Sequence, residues 1–237
     1  VTDEIQYLLI HTNKGFLYTL KKLIKNPGKT AREFIDGNRI NHYKPLLLTF
    51  VISGISAFIS FKVVGMGKIV NDYFSTQHMN SPFMNDYMIV MSTYNSFIML
   101  LCIPIFAFIT WLAFSKWKNN YYEHVVMNAY ILTTQTIVMM AIVSPVLFFL
   151  RHSPHYFTQV TSSSLLITPI ILVWFFRGFY ADKPLKQILL RILAVVGLSI
   201  VTFFVLIILV MIVSFVYAML KGPEAMQYFL PPGTKMK

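Results

Sequence analysis

The sequence predicts an all-α integral membrane protein, a five-span transmembrane helical bundle with an N-terminal cytoplasmic amphipathic helical segment. Three observations predict it. Hydrophobic residues make up 56% of the 237 residues and charged residues 12%, against about 45–50% and about 25% in ordinary globular domains. The apolar residues gather into five runs, most of them near the ~20 residues that cross a hydrocarbon core. The charge is lopsided, with 20 Lys and Arg against 9 Asp and Glu for a net +11. In so apolar a chain that excess points to anionic lipid headgroups rather than to nucleic acid. A disordered chain is excluded, and a soluble domain of this size is disfavoured.

Residues 1–44 form the cytoplasmic segment. Phe16, Leu17, Leu20, Leu23 and Ile24 recur at helical spacing, which predicts an amphipathic helix. Asn26-Pro27-Gly28 breaks it. Thr30-Ala31-Arg32-Glu33 reads as a capping box opening a second short helix, and Gly37 suits its end. Lying in the interface, Lys21, Lys22, Lys25, Lys29 and Arg32 would each add about 1 kcal/mol of attraction to an anionic leaflet. Packing of this segment on the end of the bundle is the alternative.

The bundle itself occupies residues 45–220, with spans at about 45–64, 94–114, 128–150, 163–176 and 192–220. The fourth run is the shortest. The fifth carries no charge; at 1.5 Å per residue it is about 43 Å long, so it tilts or protrudes. Pro104, Pro145 and Pro169 mark places where spans can kink. The connection of residues 65–93 is long enough for a short helix. Residues 221–237 form an extracytoplasmic tail. Most Lys and Arg fall before the first span, between the second and third, and between the fourth and fifth. The positive-inside rule places those segments in the cytoplasm, with the N-terminus inside and the C-terminus outside. No cleavable signal peptide is expected, because the first apolar run follows a long basic stretch.

Polar residues within the spans are few and spaced. Thr49, Ser53, Ser56 and Ser60 form one helical stripe, and small hydroxyl residues let helices approach closely. Asn128 and Gln135 share one side of the third span, where an amide needs a partner inside the bundle. A packing face and a polar path both fit these residues. The span centres carry no charged residue, which argues against a proton-coupled carrier.

Catalytic and metal signatures are weak. His152 and His155 have no acid or cysteine beside them, and Cys102 is the only cysteine. No H-E-x-x-H, phosphate-cradling or G-x-S-x-G motif occurs. No catalytic residue, metal or cofactor is therefore expected. The threading does bring one polar cluster to the cytoplasmic surface: Glu123 and His124 at the entry of the third span, Arg177 and Tyr180 at the exit of the fourth, and Arg39 before the first. A carboxylate there is costly unless paired, so Glu123 is expected to pair with Arg39 or Arg177. That pair would be an ionic clasp; a headgroup site, or a general-acid role for His124, are the alternatives.

These residues also carry a resemblance. The chain resembles a family of uncharacterised bacterial integral membrane proteins classed under a domain of unknown function. The matching features are Thr19, Leu20, Leu23, Pro27 and Gly28, then Gly37 and Arg39, then Tyr43 and Pro45. A Tyr-x-Glu-His motif follows at Tyr121, Glu123 and His124, and an Arg-x-x-Tyr exit at Arg177 and Tyr180. The resemblance implies a bacterial inner-membrane protein and no established activity. Members of the family often begin with a zinc ribbon; no cysteine precedes Cys102 here, and Tyr130 and Thr133 stand where histidines are common. The five-span layout also resembles Yip1-type membrane proteins, in architecture alone.

The function expected from this reading is non-enzymatic: a lipid-contacting subunit or scaffold of a cell-envelope membrane complex. Its partners would be anionic lipids and other membrane subunits or a second copy, not nucleic acid. One alternative is a transporter or channel for a small solute or lipid, built on the Ser/Thr stripe and Gln135. The other is an enzyme acting on lipid at the cytoplasmic face, with His124 as acid or base and Arg39 and Arg177 binding phosphate.

Overall fold

The computed structural model describes residues 15–77 and 81–221. Every described secondary-structure element is helical. Residues 15–25 form α1, followed by α2 (Pro27–Ile35) and α3 (Pro45–Phe58), which continues through a π turn (Ile59–Val63). Then come α4 (Met66–Thr76), the long α5 (Pro82–Ala113) and α6 (Tyr121–Val138). A second π turn (Met139–Val143) joins α6 to α7 (Ser144–Phe149); α8 (Pro154–Ser163) leads through a short 3-10 turn into α9 (Ile167–Phe179), and α10 (Leu185–Lys221) ends the described chain. Five helical stretches are long and apolar enough to cross a membrane: Pro45–Val63, Pro82–Ala113, Tyr121–Phe149, Pro154–Phe179 and Leu185–Tyr217. The fold is the expected five-span helical bundle. Of the expected tail, all but Lys221 lies outside the described residues.

Several helices begin earlier than their apolar runs, because caps rather than hydropathy set the ends. The second span starts at Pro82, not near Tyr94, where Ser81 Oγ accepts the Met84 amide at 3.3 Å. The third starts at Tyr121 behind a capping box of Asn120 and Glu123. The fourth gains length because α8 runs almost directly into α9. Near the N-terminus the Thr30–Glu33 capping box does not form. Asn26 caps α2 instead, its Oδ1 accepting the Lys29 amide at 2.9 Å, with Pro27 in the first turn. That pairing of cap and proline is the stronger start signal. Pro145 and Pro169 sit just after irregular turns. In α5 the non-helical residue is Tyr94 rather than the expected Pro104.

The expected apolar face of α1 is divided. Thr19 and Leu23 are fully buried, and Phe16 and Leu20 pack against the main core. Leu17 and Ile24 are 63% and 62% exposed, beside the exposed Lys21 and Lys25. The axis of the bundle is α6, whose residues His124 and Met127 to Thr134 are all buried. It packs against α3, α5, α2 and α9. The main core gathers Leu48, Phe114, Met127, Tyr130, Phe175 and Ile188, and a second cluster joins Val64, Ile69, Val143, Leu147 and Phe157. Among the described residues the covered part of α10 is its start, through Ile188, Ile192 and Val195; its large apolar residues described between Ile200 and Met219 are exposed.

Candidate functional site

The basic loops converge on one end of the bundle, and the α1–α2 hairpin is seated closely there. Pro27, Gly28, Thr30 and Ala31 of α2 are buried. A Cβ on Gly28 would overlap the Phe175 carbonyl and the Phe179 amide, and one on Gly178 would overlap the Asn26 side chain. The two glycines therefore bring the backbones of α2 and α9 into direct contact, the approach that small residues allow between membrane helices. Arg32 Nη1 donates to the Phe179 carbonyl at 2.9 Å and pairs with Asp182 at 3.3 Å. The hairpin is fastened on its other side as well. Thr19 Oγ1 donates to Gly15 O at 2.7 Å and accepts the Tyr43 amide at 2.8 Å, tying α1 to the entrance of α3.

Between the two helices lies a small polar knot. Glu33 stands 3.5 Å from Lys22 Nζ and 3.5 Å from His42 Nε2, and the His42 side chain is wholly covered. Tyr18 and Phe34 present their edges to the His42 ring, and Lys22 sits over Tyr18. The Glu33 carboxylate raises the Lys22 ammonium above its usual value. Burial lowers His42, against a smaller upward pull from Glu33. Neither Glu33 nor His42 stands out in the sequence beyond Glu33 as a cap residue; only the hairpin brings them together.

The expected ionic clasp does not form. Glu123 makes no ion pair among the described residues. Its Oε2 accepts the Asn119 side chain at 2.7 Å and the Asn120 amide at 3.1 Å, while its own amide donates to Asn120 Oδ1 at 2.9 Å. Capping satisfies the carboxylate without an arginine. Asn119 passes the link onward, its Oδ1 accepting the Tyr180 hydroxyl at 2.8 Å. Glu123 and Tyr180 of the expected cluster are thus joined through Asn119. Arg39 and Arg177 are exposed, and Arg39 lies over the Phe34 ring. The Asn120-x-x-Glu123 spacing was the available sign of this cap; nothing local marked Asn119.

His124 is enclosed. Its Nδ1 lies 3.1 Å from Thr110 Oγ1, its Nε2 has no hydrogen-bond partner among the described residues, and the Phe114 ring packs beside it. Asn128 donates to the same Thr110 oxygen at 2.7 Å and to the His124 carbonyl at 2.8 Å. These three residues bond α5 to α6. No arginine reaches His124, so the structure gives no support to acid–base work on a phosphate held by Arg39 and Arg177. In the spans, Thr49 bonds Thr133 at 3.0 Å and Ser53 bonds its own helix, whereas Gln135 reaches Thr168 of α9 at 3.0 Å. Ser56 lines a cavity with Gln135. An aromatic stack of Phe114, Phe176 and Tyr180, with Trp117 edge-on, locks the ends of α5 and α9, and Arg191 donates to the Ala113 carbonyl at 2.6 Å to add α10.

Of the basic residues, Arg32 is spent on α9 and Lys22 on Glu33. Lys21, Lys25 and Lys29 face outward.

No curated protein and no solved structure matches this chain. Residues 13–57 match a family described as protein of unknown function (DUF3667), a stretch that takes in α1, α2 and most of α3.

Proposed function

We propose that the protein is a non-enzymatic, multi-pass subunit or scaffold of a bacterial inner-membrane assembly that contacts anionic lipid through its α1–α2 hairpin. The observation that carries this reading is the outward stripe of the hairpin. Leu17 and Ile24 are exposed together with Lys21 and Lys25 on one side of a helix whose other side is sealed into the bundle. Exposed apolar residues among lysines suit the boundary of acyl chains and headgroups. The basic end then faces the cytoplasm, with the C-terminus on the other side. The uncovered length of α10 leaves lateral surface for lipid and for a neighbouring subunit.

The test is lipid retention. Purified gently from a membrane of mixed lipids, the wild type carries bound anionic phospholipid. The triple variant Lys21→Glu, Lys25→Glu, Lys29→Glu, at three exposed positions, loses most of it while keeping its melting profile. Equal retention by both proteins rejects the proposal.

A further inference from the structure

Towards the end opposite the hairpin, α3, α5 and α6 part around a chamber of about 380 Å³. Its wall combines five methionines, Met88 and Met91 among them, with Ser56, Ser60, Asn95 and Gln135. Many hydroxyls in the spans return to their own backbone, as Thr133 does to Ala129 and Thr134 to Tyr130. The side chains of Ser56, Ser60 and Asn95 have no hydrogen-bond partner among the described residues. In hydrocarbon, polar groups require partners.

All three helices also leave regular geometry at this level. The π turn Ile59–Val63 continues α3, Tyr94 at φ −107° and ψ 15° interrupts α5, and the π turn Met139–Val143 continues α6. Such interruptions concentrate at functional sites. The chamber shares Phe61 and Met88 with a second cavity of about 380 Å³, whose wall carries Lys62, Lys68, Asn71 and Asn85. Neither lysine forms an ion pair among the described residues, and neither Asp72 nor Asp86, the acids of α4 and α5, lines this cavity.

We infer that the paired cavities bind a single-chain amphiphile with an anionic head, the head over Lys62 and Lys68 and the body in the methionine-lined chamber. The chamber wall has no charge, so it takes the uncharged part of a ligand. Met side chains adapt to an irregular apolar body. The unpartnered Ser56, Ser60 and Asn95 take hydroxyl or ester oxygens along that body. Each volume lies at the small end of ligand sites, about 300–1,000 Å³, which fits one chain rather than two.

The experiment places the full chain in discs of zwitterionic lipid. It is photolabelled with a lysophosphatidate carrying a diazirine in its acyl chain, and separately with the matching monoacylglycerol. The monoacylglycerol keeps the ester, hydroxyls and chain but lacks the phosphate. The expected result is saturable lysophosphatidate labelling within residues 56–66, 85–99 and 132–139, competed by the unlabelled lipid. A labelled fatty acid of equal chain length, added as a third arm, distinguishes a carboxylate from a phosphate head. Lys62→Glu with Lys68→Glu, both exposed positions, weakens lysophosphatidate labelling by about tenfold or more, the scale of a lost charge-assisted hydrogen bond. Monoacylglycerol labels these segments weakly and is indifferent to that variant. Unsaturable labelling spread over residues 200–217 overturns the inference, as does equal labelling by monoacylglycerol or an unchanged double variant. The Lys21, Lys25 and Lys29 variant leaves this labelling intact, so failure at one end of the molecule is separable from failure at the other.

Discussion

The α1–α2 hairpin and α10 both flank the bundle, and they are opposites. The hairpin is short and basic, with an α2 of 9 residues, yet its backbone touches α9 directly. Helix α10 has 37 residues and is the most apolar of the spans, but almost none of its apolar stretch is buried. In water that order would be reversed, because apolar surface drives burial. In lipid the surroundings are as apolar as leucine, so close approach and hydrogen bonds decide what packs. The hairpin has both, through Gly28, Thr19 and Arg32. Beyond its first turns α10 has neither.

The largest effect that would test this contrast is at Gly28. Gly28→Leu sets a side chain against the backbone of Phe175 and Phe179, which cannot move aside. It should cost about 3 kcal/mol or more and undock the hairpin, read as a lowered melting temperature and new protease cleavage before Pro45. A protein that melts as the wild type does would mean the two backbones are not in contact. Thr19→Val comes next. It leaves the Tyr43 amide without its acceptor, a loss of about 1–2 kcal/mol, measurable by the same melt.

A smaller effect depends on pH. Folding lowers His42, so the unfolded chain takes up a proton near its ordinary value of 6.5 while the folded chain still excludes it. The contribution is complete above that value and is lost as pH falls through the lowered folded value. Melting temperature should therefore decline on acidification below about pH 6.5, and His42→Phe should flatten the decline. An equal slope in both proteins would assign the effect to other groups. The smallest effect is at the other side of the comparison. Leu206, 46% exposed on α10, should tolerate Leu206→Ala with a change under about 0.5 kcal/mol. A large loss there would reveal a covering partner and erase the contrast.

The spans were legible because their physics is one-dimensional: apolar length is visible in any window of sequence. Their ends were less so, since Ser81, Asn120 and Asn26 set them by single hydrogen bonds that average hydropathy does not register. The polar cluster was legible in membership but not in wiring. Threading places Glu123 beside two arginines in projection, yet a cap on the same helix needs no long-range closure and satisfies the carboxylate first. The Glu33–Lys22–His42 knot depends on the hairpin angle at Asn26-Pro27, which spacing alone does not specify. The division of α1 combines the two placements that its spacing left open: Leu23, with Phe16 and Leu20, packs on the bundle, while Leu17 and Ile24 turn outward beside the lysines. Helical spacing marks an apolar face but not where along it protein gives way to other surroundings.

The contact between the hairpin and α9 also has a consequence for biosynthesis. Arg32 and Phe179 are 147 residues apart in the chain. At about 5–20 residues per second a ribosome needs roughly 7–30 s to make the intervening stretch. The hairpin thus emerges early and waits beside the translocating spans, with Gly28 uncovered and the Arg32 guanidinium left to its neighbour Asp36, until the final turn of α9 is delivered. Its seating is a late event in assembly, and a chain stalled before residue 179 lacks the surface on which that step takes place.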